Sequence, residues 1–265
     1  MGEFATLCTS TSQPALPLHE ATRTMRSEQD SAWKDILDAY FKEFLEFFFP
    51  EIHRDIDWSK PVEFLDKEFQ KIVRKSEIGK QLADKLAKVF LLDGSDAWLL
   101  IHVEVQGYSE EKFEQRIYIY NYRIFDRYAH DVISLAVLTD KNEKFRPEAY
   151  EVKRWRFHHL LRFPVIKLLD YLSRWEELER DPNPFAVVVM AHLKAHESHT
   201  DGERLDAKRL LVRMLYERGC VRQDILELFR FIDWLLVLPE ELEVEIEHEI
   251  TTLEKEKTMP YVTSI

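Results

Sequence analysis

The chain has 265 residues, 45% of them hydrophobic, which suits one large domain or a core with an appended subdomain. Two cysteines, Cys8 and Cys220, are too few for a disulfide framework or a cysteine zinc cluster, and six glycines disfavour a glycine-rich nucleotide loop. The formal charge of −12 argues against nonspecific coating of nucleic acid, but residues 151–174 hold six Lys/Arg against two acidic residues, which predicts a local basic surface. The longest apolar run is far shorter than a membrane span, so we expect a cytoplasmic protein with no membrane partner.

The first part of the chain predicts a disordered segment followed by two helices. Residues 1–27 are rich in Ser, Thr and Pro without periodicity. Residues 31–49 carry apolar side chains at helical spacing, and we expect Pro50 to end that helix. A second helix is predicted over 62–75.

A β-hairpin follows, around the turn-rich tetrad 93–96. If the turn is centred on Gly94, residues whose numbers sum to 188 face each other, so Asp84 opposes Glu104. Opposed side chains have Cβ atoms roughly 5 Å apart, where like charges repel unless a cation lies between them. Carboxylate oxygens are ligands that Mg²⁺ and Mn²⁺ prefer, so the hairpin predicts a metal site. On spacing alone, however, a pair of solvated surface charges is favoured over a metal site.

The rest of the chain predicts one more helix, two strands and a helical region. A helix is expected over 110–128, a buried strand over 131–139, and a further strand over 150–157. Beyond about residue 174 the spacing is helical throughout, with separate helices predicted over 184–199, 203–219, 222–237 and 240–255. This order predicts an α/β fold, in which a mixed sheet flanked by helices precedes an all-helical C-terminal subdomain.

Five segments carry a resemblance to a known family: FLDKEFQKI, LADKLAKVFLLDG, IHVEVQGY, QRIYIYNYRIFDRY and SLAVLTD. Residues 64–140 resemble the Rpn family of recombination-promoting nucleases, also described as transposase-like, within the PD-(D/E)XK nuclease superfamily. The resemblance implies a restriction-endonuclease-like core over 28–172, preceded by the disordered 1–27 and followed by a helical subdomain over 173–265. It also implies DNA as the partner and leaves self-association into a homo-oligomer open.

The family match assigns roles to particular residues. Asp84 and Glu104 would be ligands of Mg²⁺ or Mn²⁺, and Glu68 would be the accessory carboxylate of the preceding helix. Gln106 occupies the place of the superfamily's lysine, as it does in the nearer family. Because a neutral amide supplies no positive charge, Lys112 is the candidate for a displaced cation.

The helix after the hairpin would line the approach of DNA to this site, through Arg116, Tyr118, Tyr122 and Arg123. The implied reaction is metal-dependent hydrolysis of phosphodiester bonds by a DNA endonuclease. Ion pairing is an equal alternative to phosphate binding for Arg116 and Arg123. A non-catalytic member of the same fold, which binds DNA or protein, is the alternative function, and Gln106 favours it.

Two further patterns have structural interpretations. His192, His196 and His199 recur at helical spacing, but with no carboxylate or cysteine to complete a zinc set we expect a polar helix face. The acidic segment 240–249 predicts a solvated helix face, or a mask for the basic stretch 151–174.

Overall fold

A computed structural model describes residues 32–73, 85–104 and 112–258. Its helices, besides α1 over 32–39, are α2 Phe41–Phe48, α3 Pro50–Asp55, α4 Asp66–Val73, α5 Phe113–Tyr128, α6 Trp175–Arg180, α7 Pro184–Glu197, α8 Asp201–Glu217, α9 Arg222–Leu235 and α10 Glu240–Thr258. Its strands are β1 Glu63–Phe64, β2 Lys85–Phe90, β3 Asp96–Glu104, β4 Val132–Leu138, β5 Ala149–Arg154, β6 Phe157–Arg162 and β7 Val165–Lys167. A 3₁₀ helix over Leu168–Arg174 leads into α6.

The predicted helix over 31–49 is divided in two, because Tyr40 leaves the helical conformation with φ −133° and ψ 40°. Its predicted apolar stripe is confirmed, since every member is buried: Ile36, Leu37, Tyr40, Phe41, Phe44, Leu45 and Phe48. The helix does end before Pro50, as predicted, because α2 stops at Phe48. Pro50 then begins the next helix, α3, and in a first turn its backbone nitrogen would make no intrahelical hydrogen bond in any case.

Five strands form the central mixed sheet, in the order β1-β2-β3-β4-β7. The β1–β2 and β2–β3 pairs are antiparallel, whereas the β3–β4 and β4–β7 pairs are parallel. Strand β3 is therefore the middle strand, with an antiparallel neighbour on one side and a parallel neighbour on the other. The predicted α/β class with a mixed sheet is confirmed.

Alternation along the hairpin strands assigns the two faces of the sheet to different helices. Leu86, Trp98 and Leu100 pack in one hydrophobic cluster with Tyr120 and Ile124 of α5. The odd-numbered positions enter the main core instead, on the face covered by α1, α2 and α7: Ala87, Val89, Leu99 and Ile101. Side chains alternate between the faces of a strand, so even-numbered positions of β2 and β3 belong to the α5 face.

A separate two-stranded sheet, β5–β6, stands beside α5. The strand predicted over 150–157 corresponds to β5, although β5 ends at Arg154 and Phe157 begins strand β6. Strands β6 and β7 were not predicted as such, because exposed or three-residue strands lack a clear apolar alternation.

Beyond residue 174, the described chain is helical to residue 258 and contains no strand, as the periodicity predicts. Local capping explains two of the helix starts. The Asn183 side chain accepts a hydrogen bond from the Phe185 amide at the start of α7. Helix α8 begins with a capping box, in which Thr200 and Glu203 each accept a hydrogen bond from the other's amide. No helix of the described residues is long and apolar enough to cross a bilayer.

One hydrophobic core joins the N-terminal helices, the sheet and the C-terminal helices. The ring of Trp33 in α1 lies 5.6 Å from that of Phe231 in α9 and 6.4 Å from that of Phe185 in α7, measured between centroids. Tyr40 donates a hydrogen bond to Asp224 of α9 over 2.9 Å. The apolar surfaces on either side of residue 172 are thus buried against one another.

Helix α10 packs against α8, and its acidic side chains pair with basic residues there rather than facing only solvent. Lys208 is fully buried and donates to Asp233 at 2.5 Å and to Glu243 at 2.8 Å. Arg209 binds Glu245 and Glu249. The expected solvated face is found for the exposed Glu240, Glu241, Glu245 and Glu247, whereas Glu243 and Glu249 are partly buried. The described partners of the paired acidic residues lie in α8 rather than in 151–174.

Candidate active site

The β2–β3 hairpin that should carry the site has a different register from the predicted one. Lys85 pairs with Ile101 and Phe90 with Asp96, so facing residues sum to 186 instead of 188. Leu91 and Ser95 close a three-residue loop through a 2.8 Å backbone hydrogen bond, and Gly94 takes its last position with φ +89°. A glycine in the left-handed conformation commonly occupies the last position of such a loop. Because Gly94 is the last loop residue, the centre of the turn is residue 93 rather than residue 94.

The two-residue shift preserves the assignment of faces. The numbers of facing residues still add up to an even number, so an even-numbered residue of β2 faces an even-numbered residue of β3. Leu86 and Leu100, for example, pair with each other and both lie on the α5 side. Position 104 belongs to this alternating set. Asp84 and Gln106 lie outside the described residues, and so do the side chains of Glu68 and Glu104.

Position 104 lies at the end of β3, beside the ends of two parallel strands. Its backbone pairs with Leu138 of β4, which pairs in turn with Lys167 of β7. Leu138 packs against Phe113 and Ile117 in the first turns of α5. The end of the middle strand, the ends of two neighbours and the start of a helix therefore meet in one place.

A buried ion pair, which the sequence analysis did not predict, lies at this edge of the sheet. The ammonium group of Lys167 donates to the Asp140 carboxylate over 2.5 Å, and both side chains are almost completely buried. Asp140 also accepts a hydrogen bond from the Asn142 amide. One signal was available, because Lys167 interrupts the apolar segment PVIKLL.

A second buried cation lies beside the hairpin. Lys85, which follows Asp84 in sequence, is 1% exposed and pairs with Asp38 of α1 and Asp66 of α4. It is an odd-numbered residue, so it belongs to the face opposite that of α5. Lys85 is thus neutralised by two carboxylates and is not placed to supply the charge that Gln106 lacks.

The predicted DNA-contacting residues of α5 have different environments. Arg116 is only 1% exposed, and its guanidinium lies 5.2 Å from the centre of the Phe113 ring, so its expected place on an open surface was wrong. Lys112 is exposed directly before the helix, and Tyr122 is 53% exposed. Arg123 and Tyr118 are half-buried.

Tyr118 belongs to an aromatic group between α5 and the β5–β6 sheet. Its ring stacks on that of Tyr150 at 4.7 Å between centroids with 13° between planes, and it meets His159 edge-on at the same distance. On its other side it stacks on Tyr122 at 6.3 Å. The predicted tyrosines therefore form part of a larger surface that includes β5 and β6.

The three predicted polar-face histidines of α7 and its C-terminal flank do not share one environment. His192 is buried and accepts a hydrogen bond from Trp33, so a polar helix face was the wrong expectation for it. Burial lowers the pKa of His192 to about 3, and the neighbouring His196 contributes. Burial also lowers the pKa of His196 to about 4, assisted by Lys141. His199 alone is exposed.

Within the described residues, no group of three or more His, Cys, Asp or Glu side chains is arranged to hold a metal ion. The predicted ligands are not among these residues, because Asp84 and the side chain of Glu104 lie outside the described part of the chain. Their carboxylates have the chemistry that Mg²⁺ and Mn²⁺ favour. No protein-family model matches the chain, and no curated protein or solved structure shows significant similarity to it.

Proposed function

We propose that the protein is a metal-dependent DNA endonuclease with a PD-(D/E)XK core, acting in recombination or on a mobile element. The observation that carries the proposal is the position of Glu104 at the end of the middle strand, in a hairpin whose other strand follows Asp84. The resemblance of residues 64–140 to the Rpn family supports the same assignment.

Asp84 and Glu104 would hold Mg²⁺ or Mn²⁺, with Glu68 as the accessory carboxylate and Gln106 as a neutral hydrogen-bonding group. When bound, the ion would lower the pKa of a coordinated water and neutralise charge on the scissile phosphate. The protein's own contribution would be to hold DNA against this edge of the sheet, through Lys112 and the partly exposed Tyr118, Tyr122 and Arg123 of α5. Phosphate contacts of this kind fix position rather than sequence.

The test is nicking of supercoiled plasmid by wild type and by Glu104→Gln, with Mg²⁺, with Mn²⁺ and with EDTA. We expect cleavage by wild type only with metal, and none by the variant. Asp96→Asn is the matched control, because Asp96 is exposed at the other end of the same strand. Equal cleavage by wild type and Glu104→Gln would place the activity elsewhere.

Metal binding is measured separately by thermal unfolding with and without Mn²⁺. A ligand that binds only the folded state raises the unfolding temperature, so wild type and Asp96→Asn should respond and Glu104→Gln should respond much less. The second candidate function is a non-catalytic binding module of the same fold, which the neutral Gln106 favours. Absence of both nicking and a metal-dependent shift would select it.

A further inference from the structure

The β5–β6 hairpin, residues 149–162, is the most unusual exposed feature of the described chain, and we name it the basic arm. Two six-residue antiparallel strands pair from Ala149 with Arg162 up to Arg154 with Phe157, and Trp155 and Arg156 form the turn. At strand rise it extends roughly 20 Å. Among the described strands, the arm forms no ladder with the central sheet.

The charge of the arm is opposite to that of the whole protein. It contains four Lys/Arg, one Glu and two His, so its formal charge is +4 − 1 = +3 in a chain of −12. The four cationic residues are all exposed: Lys153, Arg154, Arg156 and Arg162. The one acidic residue of the arm, Glu151, pairs with His158, with 2.8 Å between Oε1 and Nε2. Such a local reversal of sign attracts a polyanion.

The tip of the arm presents aromatic rings to solvent between these charges. Trp155 is 88% exposed and Phe157 61% exposed, and the Arg154 guanidinium lies 4.4 Å above the indole of Trp155. Trp155 also has φ +55°, a conformation that favours glycine. A bulky ring held in this conformation at an open turn gains no burial there, so local packing does not explain it.

The base of the arm packs against α5, the helix proposed to line the approach of DNA. Tyr150 and His159 contact Tyr118 of α5, and Tyr118 stacks on Tyr122. An isolated two-stranded hairpin is marginally stable in water, so this aromatic anchor holds the arm against α5. The surface of α5 and the arm thus form one continuous band of aromatic and cationic side chains.

We propose that the basic arm binds duplex DNA by entering its major groove, with Lys153, Arg154 and Arg156 on phosphates and the Trp155 indole against bases. A two-stranded ribbon fits the roughly 12 Å width of that groove. The major groove of DNA offers phosphate charges along its walls, and base edges and thymine methyl groups at its floor, whereas an acidic protein surface would leave the aromatic tip without matching partners. The inference rests on the proposed function only in taking DNA as the ligand.

Binding is measured by fluorescence anisotropy with a labelled duplex of two helical turns, in EDTA, over a series of KCl concentrations. For Lys153→Gln/Arg154→Gln/Arg156→Gln we expect affinity to fall by roughly tenfold or more, and the slope of log affinity against log salt to decrease by about three. The matched control is Arg180→Gln/Arg213→Gln/Arg230→Gln, which removes the same charge from exposed positions of the helical region. The control should bind like wild type.

Trp155→Gly tests the tip without endangering the fold of the turn, because glycine adopts positive φ readily. We expect at least about a fivefold loss of affinity with an unchanged salt slope, and partial retention in Trp155→Phe, which keeps an apolar ring for contact with the groove floor. Circular dichroism and thermal unfolding should show both variants folded as wild type. Loss of affinity in a variant that has also lost its fold would count against a specific role for the indole.

Several outcomes would overturn the inference. These are arm variants that bind as tightly as wild type, equal losses in the control variant, or a wild type without measurable affinity for the duplex. A clear preference for single-stranded DNA would exclude groove entry. Self-association that the arm variant abolishes would point to the acidic helices of a second copy. The binding result does not depend on cleavage. If binding depends on the arm but no metal-dependent nicking occurs, the proposed nuclease activity is rejected and DNA binding by the arm is supported.

Discussion

The indole Nε1 of Trp33 donates a hydrogen bond to Nε2 of His192 over 2.9 Å in the core, across 159 residues of sequence. The two rings also stack, with 5.3 Å between centroids. As the acceptor, Nε2 carries no proton, so His192 is a neutral imidazole with its proton on Nδ1. The contact between α1 and α7 therefore depends on the protonation state of one buried side chain.

Acid should weaken the fold through His192. Its pKa is about 3 in the folded protein, against about 6.5 in an unfolded chain, so between these values the unfolded state binds a proton that the folded state does not. His192 alone should therefore lower the free energy of unfolding by about 2 kcal/mol between pH 7.5 and pH 5, and His196, whose pKa is also lowered, should add a decrease of the same sign. Urea unfolding at each pH measures it.

His192→Gln removes the titrating group and should make that pH dependence shallower by about the same amount. His199→Gln is the control, since His199 is exposed. An unchanged acid dependence in His192→Gln would assign the effect to other groups.

Lys167→Met should destabilise the protein strongly, because it leaves the Asp140 carboxylate buried without its cation. Loss of one partner of a buried ion pair costs about 3–5 kcal/mol. Arg146→Met is the matched control, because the Arg146–Asp170 pair is about half-exposed and such pairs contribute at most about 1 kcal/mol. Chemical denaturation compares the two, and similar losses would contradict a special role for burial.

Ala129→Gly should stabilise the C-terminal end of α5. Ala129 caps this helix with φ 52°, where a Cβ atom is unfavourable and glycine is not. The gain should be about 0.5 kcal/mol, after the greater freedom of glycine in the unfolded chain is subtracted. Ala195→Gly, inside α7, should instead lose about 0.5–1 kcal/mol. Thermal unfolding of both variants measures the two changes in stability. A loss of stability in Ala129→Gly would contradict the idea that Ala129 is strained at this cap.

Local sequence patterns predicted where helices and strands occur far better than which residues they pair with or pack against. The apolar stripe through Phe44 and the four C-terminal helices follow from periodicity, which needs no tertiary information. The hairpin register depended on which position of the loop Gly94 would take, and both choices fit the sequence. Burial of His192 and Arg116 arises from packing against residues that a local pattern does not identify.

The contact between Trp33 and Phe231 also imposes an order on biosynthesis. At about 5–20 residues per second, a ribosome needs on the order of 10–40 s to advance from the first residue to the second. During that time the aromatic side chains of α1 and α2 have left the exit tunnel without the helices that later bury them. A newly made chain therefore exposes apolar surface that favours aggregation until α9 has been synthesised.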